Sequence, residues 1–173
     1  MTVLPIRIFG DPVLREPARR VESFDPTLAR LADDMIETMQ EAPGVGLAAP
    51  QVGRSIRLVV FDVGEGPRAL VNPVLSGFDG EQVGDEGCLS IPGLYFSVKR
   101  ALKVRADGFD VAGKPVVIEA EELLARVLQH EVDHIDGVLF IDRLSPDDRK
   151  AALAALRDQT LGLAAVAPDP RAL

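Results

Sequence analysis

The sequence predicts an α+β fold: a single compact domain in which antiparallel β-sheets pack around a central helix, with an N-terminal helix before it and a C-terminal helix after it. Three observations lead there. Apolar residues recur at helical spacing in three segments, near the start, in the second half and at the end of the chain. β-Branched runs separated by glycine-rich turns occupy much of the middle. The 173 residues contain no internal repeat and no linker, which suits one domain, 1–173, able to remove roughly 70% of its unfolded surface from water.

In chain order, the opening is irregular, and Gly10-Asp11-Pro12 marks a turn. The first helix begins at an Asp25 N-cap with Pro26 in its first position. Leu28, Leu31, Met35, Ile36 and Met39 then form its core face until Pro43 stops it. The run from Ser55 to Asp62 reads as a strand, followed by a Gly64-Glu65-Gly66-Pro67 turn and a short strand to Val71. The segment Glu86-Gly87-Cys88-Leu89-Ser90 shows no periodicity and reads as an interruption. Leu102 to Ala106 and Val116 to Ile118 are expected to pair as a hairpin.

The central helix is expected to open around Ala120, to place Leu123, Val127, His130 and His134 within an arc of roughly 60°, and to stop at Gly137. Ser145-Pro146 caps a last helix running to about Arg157, and the tail from about residue 160 reads as frayed.

Composition excludes some functions. A net charge of −8 opposes a stable nucleic-acid complex, because holding phosphates requires clustered Lys and Arg. No apolar run has the length of a signal peptide core or a membrane span, so the expectation is a cytoplasmic chain with no membrane partner. Gly44-Val45-Gly46-Leu47-Ala48-Ala49 formally matches a dinucleotide fingerprint, but a helix precedes it and Pro50 closes it, where the fingerprint needs a strand before and a helix after.

The chain has two histidines and one cysteine. Both histidines lie on the central helix as His130-Glu131-Val132-Asp133-His134. Side chains at i and i+4 share one helix face, so two imidazoles can hold a single metal ion while Glu131, displaced to the side, stays free to act on water. The central helix is therefore read as metal-binding. A catalytic metal normally takes three protein ligands and keeps a position for water. Cys88 is the remaining strong soft donor; its alternatives are a buried apolar filler or a reactive thiol. A divalent ion held by a thiolate and two imidazoles lowers the pKa of bound water to roughly 7, and Glu131 would serve as general base and then general acid.

Three stretches together resemble the peptide deformylase family of bacterial type: Gly44-Val45-Gly46-Leu47-Ala48-Ala49-Pro50-Gln51, Glu86-Gly87-Cys88-Leu89-Ser90, and Gln129-His130-Glu131-Val132-Asp133-His134. The likeness extends from about Ile6 to Leu144. It implies hydrolysis of the N-formyl group of N-formylmethionyl nascent chains with release of formate. It further implies metal ligation by Cys88, His130 and His134, with Glu131 as the acid–base group and the Gln51 amide and Leu89 N–H as donors to the oxyanion. Substrate would lie along Gly44, Val45 and Gly46, its methionine near Val45, Leu123 and Val127. The implied cofactor is one divalent ion, Fe2+ in the cell, with Zn2+, Ni2+ or Co2+ possible in a purified sample. The expected partners are the formylated peptide and, transiently, the ribosome, with the chain a monomer.

Two positions depart from the family pattern. Leu94-Tyr95-Phe96 stands where many members carry an arginine that holds the substrate main chain, and Arg126 stands beside the metal-facing stripe, where an apolar pocket residue is expected. Arg126 is expected to snorkel at the pocket rim or to alter side-chain preference. The competing readings are a metallopeptidase of the His-Glu-x-x-His class, which would leave the Glu-Gly-Cys box idle, and a structural metal domain, which would need a fourth protein ligand.

Overall fold

A computed structural model describes residues 2–162; the expected frayed tail lies, beyond Gly162, outside the described residues. Helix α1 spans Pro26–Glu41, and the Asp25 carboxylate accepts from the Thr27 and Leu28 N–H groups, which a helix otherwise leaves unpaired at its start. Seven strands follow: β1 Gly46–Ala48, β2 Leu58–Phe61, β3 Arg68–Asp79, β4 Gln82–Cys88, β5 Ile91–Arg100, β6 Lys103–Phe109 and β7 Pro115–Glu121. Helix α2 then spans Glu122–Ile135 and helix α3 Pro146–Thr160.

Five strands form one antiparallel sheet in the order β1-β2-β3-β6-β7, and β4 and β5 form a separate hairpin. All four residues of β2 are buried, because both faces of the sheet are covered. On one face Leu58 and Val60 pack with Leu28, Ala32, Met35 and Met39 of α1. On the other, Val59, Phe61, Leu70, Val104 and Ile118 pack with Ala125, Leu128, Val132 and Ile135 of α2. Strand alternation thus sends neighbouring residues into two different cores. A third core joins Cys88, Ile91 and Val98 of the hairpin to Leu139, Phe140 and Ile141 and to Ala152 and Leu156 of α3. Helix α2 therefore lies between the sheet and the hairpin, as the α+β reading requires.

Several boundaries differ from expectation. The Glu86-to-Ser90 box is the tip of a long hairpin, with Gln82 paired to Arg100 and Cys88 to Ile91. The β4 residues Gly84, Asp85, Glu86 and Gly87 have weak strand propensity, and pairing with β5 overrides it. Helix α2 begins at Glu122, not near Ala120, because β7 pairs with β6 through Glu121. Strand β3 runs beyond Val71 to Asp79 after a register shift. At that shift Asn72 is left-handed (φ 52°) and buried, and its amide accepts from Val21 N–H at 2.8 Å and donates to Val21 C=O at 2.9 Å, fixing the N-terminal segment to the sheet. Among the described residues, no helix is long and apolar enough to cross a membrane.

Candidate metal centre

Cys88 closes β4, and a register shift after Glu86 turns its side chain inward. His130 and His134 come from α2, one turn apart, with ring centroids 4.9 Å from each other. All three side chains are buried, and their ligand atoms lie within 4.8 Å of one another. Cys88 Sγ is 3.2 Å from His134 Nε2. The Nδ1 of His130 faces Glu86 Oε2 at 3.0 Å, while its buried Nε2 has no hydrogen-bond partner among the described residues. One thiol, two imidazoles and an orphaned ring nitrogen, all within reach of one point, fit a divalent metal.

Around this point the environment is set by charge and burial. Burial opposes a charge on Glu86, but hydrogen bonds from Arg100 and His130 outweigh it and hold the carboxyl well below the usual carboxylate range. Burial holds His134 well below its usual value, in the neutral form that a metal needs. For Glu131 burial dominates, with the charge of His130 acting against it, and the carboxyl is pushed up to about 7. Among the described residues neither buried Glu131 oxygen has a hydrogen-bond partner, an environment of the kind in which acid–base groups are found.

The glycine box closes the other side. A Cβ at Gly46 would stand 2.8 Å from the Glu131 Cδ, and one at Gly44 would stand 2.8 Å from the Leu89 Cδ1, so the backbone can pass only because both positions lack side chains. Gln51 is buried; its Oε1 accepts from Ala48 N–H at 2.8 Å, and its Nε2 donates to Ser90 Oγ at 3.2 Å and faces Cys88 Sγ at 3.6 Å. Residues from three distant stretches thus meet at one buried point.

A model of the polypeptide deformylase family matches residues 3–150, most of the chain. The chain belongs to the polypeptide deformylase family. Among similar proteins, the peptide deformylase of Acidothermus cellulolyticus is 58% identical over 158 residues, covering 91% of this chain and 88% of that one. The crystal structure of a peptide deformylase from Legionella pneumophila superposes with a TM-score of 0.87 at 45% identity, covering 92% of this chain and 96% of that one. That of the Thermus thermophilus peptide deformylase superposes with a TM-score of 0.87 at 49% identity, covering 93% of this chain and 97% of that one.

Within this deformylase fold the site residues read from sequence are placed unequally. Cys88, His130, His134, Glu131, Gln51 and Gly46 come together, and Gly44 meets Leu89. Val45 is partly buried against the core cluster that contains Val127, whereas Leu123 is 47% exposed and leaves the buried stripe of α2. The Tyr95 ring covers Gly87, where a Cβ would stand 2.9 Å from Cδ1. Asp133 accepts from Arg100 and Arg143. Arg100 pairs with Glu86 and engages both oxygens of the carboxylate. Arg126 does not snorkel to a rim. It is 5% exposed and turns its guanidinium into the hairpin. Sequence reasoning missed that contact and the Ser90 support of Gln51, since both partners of each lie far apart in the chain or depend on the hairpin's pairing.

Proposed function

We propose that this centre hydrolyses the N-formyl amide of N-formylmethionyl nascent peptides, releasing formate and a free α-amine. Peptide deformylation is the activity of the family, and the observation that carries the residue assignment is the partnerless Glu131 carboxyl buried beside the Cys88-His130-His134 cluster. Cys88, His130 and His134 would hold a divalent ion, which would supply Lewis acidity toward the formyl oxygen and toward water. Glu131 takes the proton as water adds to the formyl carbon, then returns it to the amine nitrogen as the C–N bond breaks. The Gln51 amide and the Leu89 N–H donate to the oxygen that gains charge.

Among the described residues strand β1 pairs only with β2 and so sits at an edge of the sheet. An extended peptide added there, along Gly44, Val45 and Gly46, brings its first carbonyl group toward Glu131. Val45 and Leu123 offer the apolar surface for methionine, and the fully buried Val127 belongs to the core behind Val45. With this reading go Fe2+ as the ion in the cell, the cytoplasm as the compartment, and a transient contact with the ribosome.

Formyl-Met-Ala-Ser, its acetylated form and the unmodified peptide test the assignment together. Formate release confined to the first supports it. Equal hydrolysis of the acetylated peptide, or cleavage of the Met-Ala bond, overturns it.

A further inference from the structure

Arg126 leaves α2 one turn before His130, and its guanidinium lies among three acceptors of the β4–β5 hairpin. Its Nη1 stands 2.7 Å from Glu86 Oε1, 3.0 Å from Val98 C=O and 3.4 Å from Gly84 C=O. The other oxygen of Glu86 faces His130 Nδ1. Two residues of one helix, a turn apart, therefore grip the two oxygens of a single buried carboxylate. Glu86 precedes Cys88 by two residues on the same strand. The hairpin carries the thiol and the helix carries the imidazoles, and the two contribute to different cores. Their separation is set by what bridges them, and Arg126 is such a bridge. Arg100 is the reciprocal one, a hairpin residue that holds Glu86 and reaches Asp133 on α2.

Gly84 completes the arrangement. A Cβ there would stand 3.3 Å from Arg126 Nη2, so the absent side chain makes room for the guanidinium. Burying an arginine is costly unless its charge finds partners, and here a carboxylate and backbone carbonyls of both hairpin strands surround Nη1.

We propose that Arg126 is a positioning residue of the metal centre: through Glu86 it fixes the His130 ring and sets the distance between Cys88 and the histidine pair. This rests on the metal-site reading above. Groups that orient metal-binding histidines typically contribute about 10–100-fold in metal affinity. Arg126→Met is expected to weaken the affinity of the folded chain for Zn2+ and Co2+ by that order, measured by chelator competition, and to change the visible spectrum of the Co2+-loaded enzyme. Arg126→Lys keeps the charge, but its ammonium ends one bond short of the Nη1 position that meets all three acceptors, so its affinity falls between. Gly84→Ala keeps every charge and crowds the guanidinium; a severalfold loss is expected.

A merely structural arginine gives a different result: a lower Tm without metal, but parent-like affinity and Co2+ spectrum in the folded variants. That outcome overturns the proposal. Should Arg126→Met not fold, Gly84→Ala decides, and parent-like affinity there overturns it as well. Failure of the parent chain itself to bind a divalent ion would instead remove the metal-site reading.

Discussion

The Glu131 carboxyl lies so close to the Gly46 backbone that a single added carbon at position 46 would meet its Cγ at 3.0 Å and its Cδ at 2.8 Å. The glycine of the first box is thus explained by the glutamate of the third. Gly46→Ala should push the carboxyl from its position and lower kcat on a formylated peptide by about 10²-fold, within the range of a displaced acid–base group. Metal content should not change. An alanine variant within threefold of the parent would show that the carboxyl tolerates the shift.

Glu131→Gln keeps the shape and removes the proton acceptor. Because Glu131 is not among the clustered ligand donors, metal should remain stoichiometric by elemental analysis while kcat falls by about 10²–10⁴-fold. Loss of metal in this variant would instead make Glu131 part of the binding set.

Gln51→Ala removes a donor beside Cys88 and the partner of the Ala48 N–H. The expected loss is about 10²–10³-fold in kcat, with a smaller change in KM. Leaving the buried Ala48 N–H unpaired should also lower Tm, so the rate must be read at a temperature where the variant is folded. A fall of less than tenfold would take Gln51 out of the mechanism.

Metal removal should destabilise the chain as well as silence it, because the three donors meet only in the folded state. Free metal at about 100 times its Kd adds about 2.7 kcal/mol, or a Tm higher by roughly 5–10 °C for a chain of this size. Scanning calorimetry with and without a chelator measures the difference. Coincident transitions, with metal shown to be bound in one sample, would mean that the unfolded chain binds it equally well.

Asn72→Ala tests the bracket on Val21. Two buried backbone groups lose their partner and a non-glycine side chain remains in the left-handed region. The expected cost is roughly 2–5 kcal/mol by urea unfolding of the metal-loaded protein. A cost below about 0.5 kcal/mol would show that water replaces the amide.

Much of the site was legible because its parts are local. His130 and His134 share a helix face at any i, i+4 spacing, and the Asp25 and Ser145 caps need only the residues that follow them. The hairpin tip was not legible, since Gly84, Asp85 and Gly87 argue against a strand and only pairing with β5 makes one. Arg126 was misplaced for a related reason. Its position on the helix is fixed by spacing, but an arginine is buried only when acceptors from elsewhere surround it, and those come from Gly84, Glu86 and Val98.

The sequence by itself determined the donor types, the helix that presents two of them, and the family to which three short boxes point. The tertiary structure decided their meeting: the 3.2 Å approach of Cys88 to His134, the isolation of Glu131 against Gly46, and the clamp on Glu86. Spacing along a chain governs which side chains share a face. Which faces come into contact is settled by burial of separate cores and by the requirement that buried charges find partners.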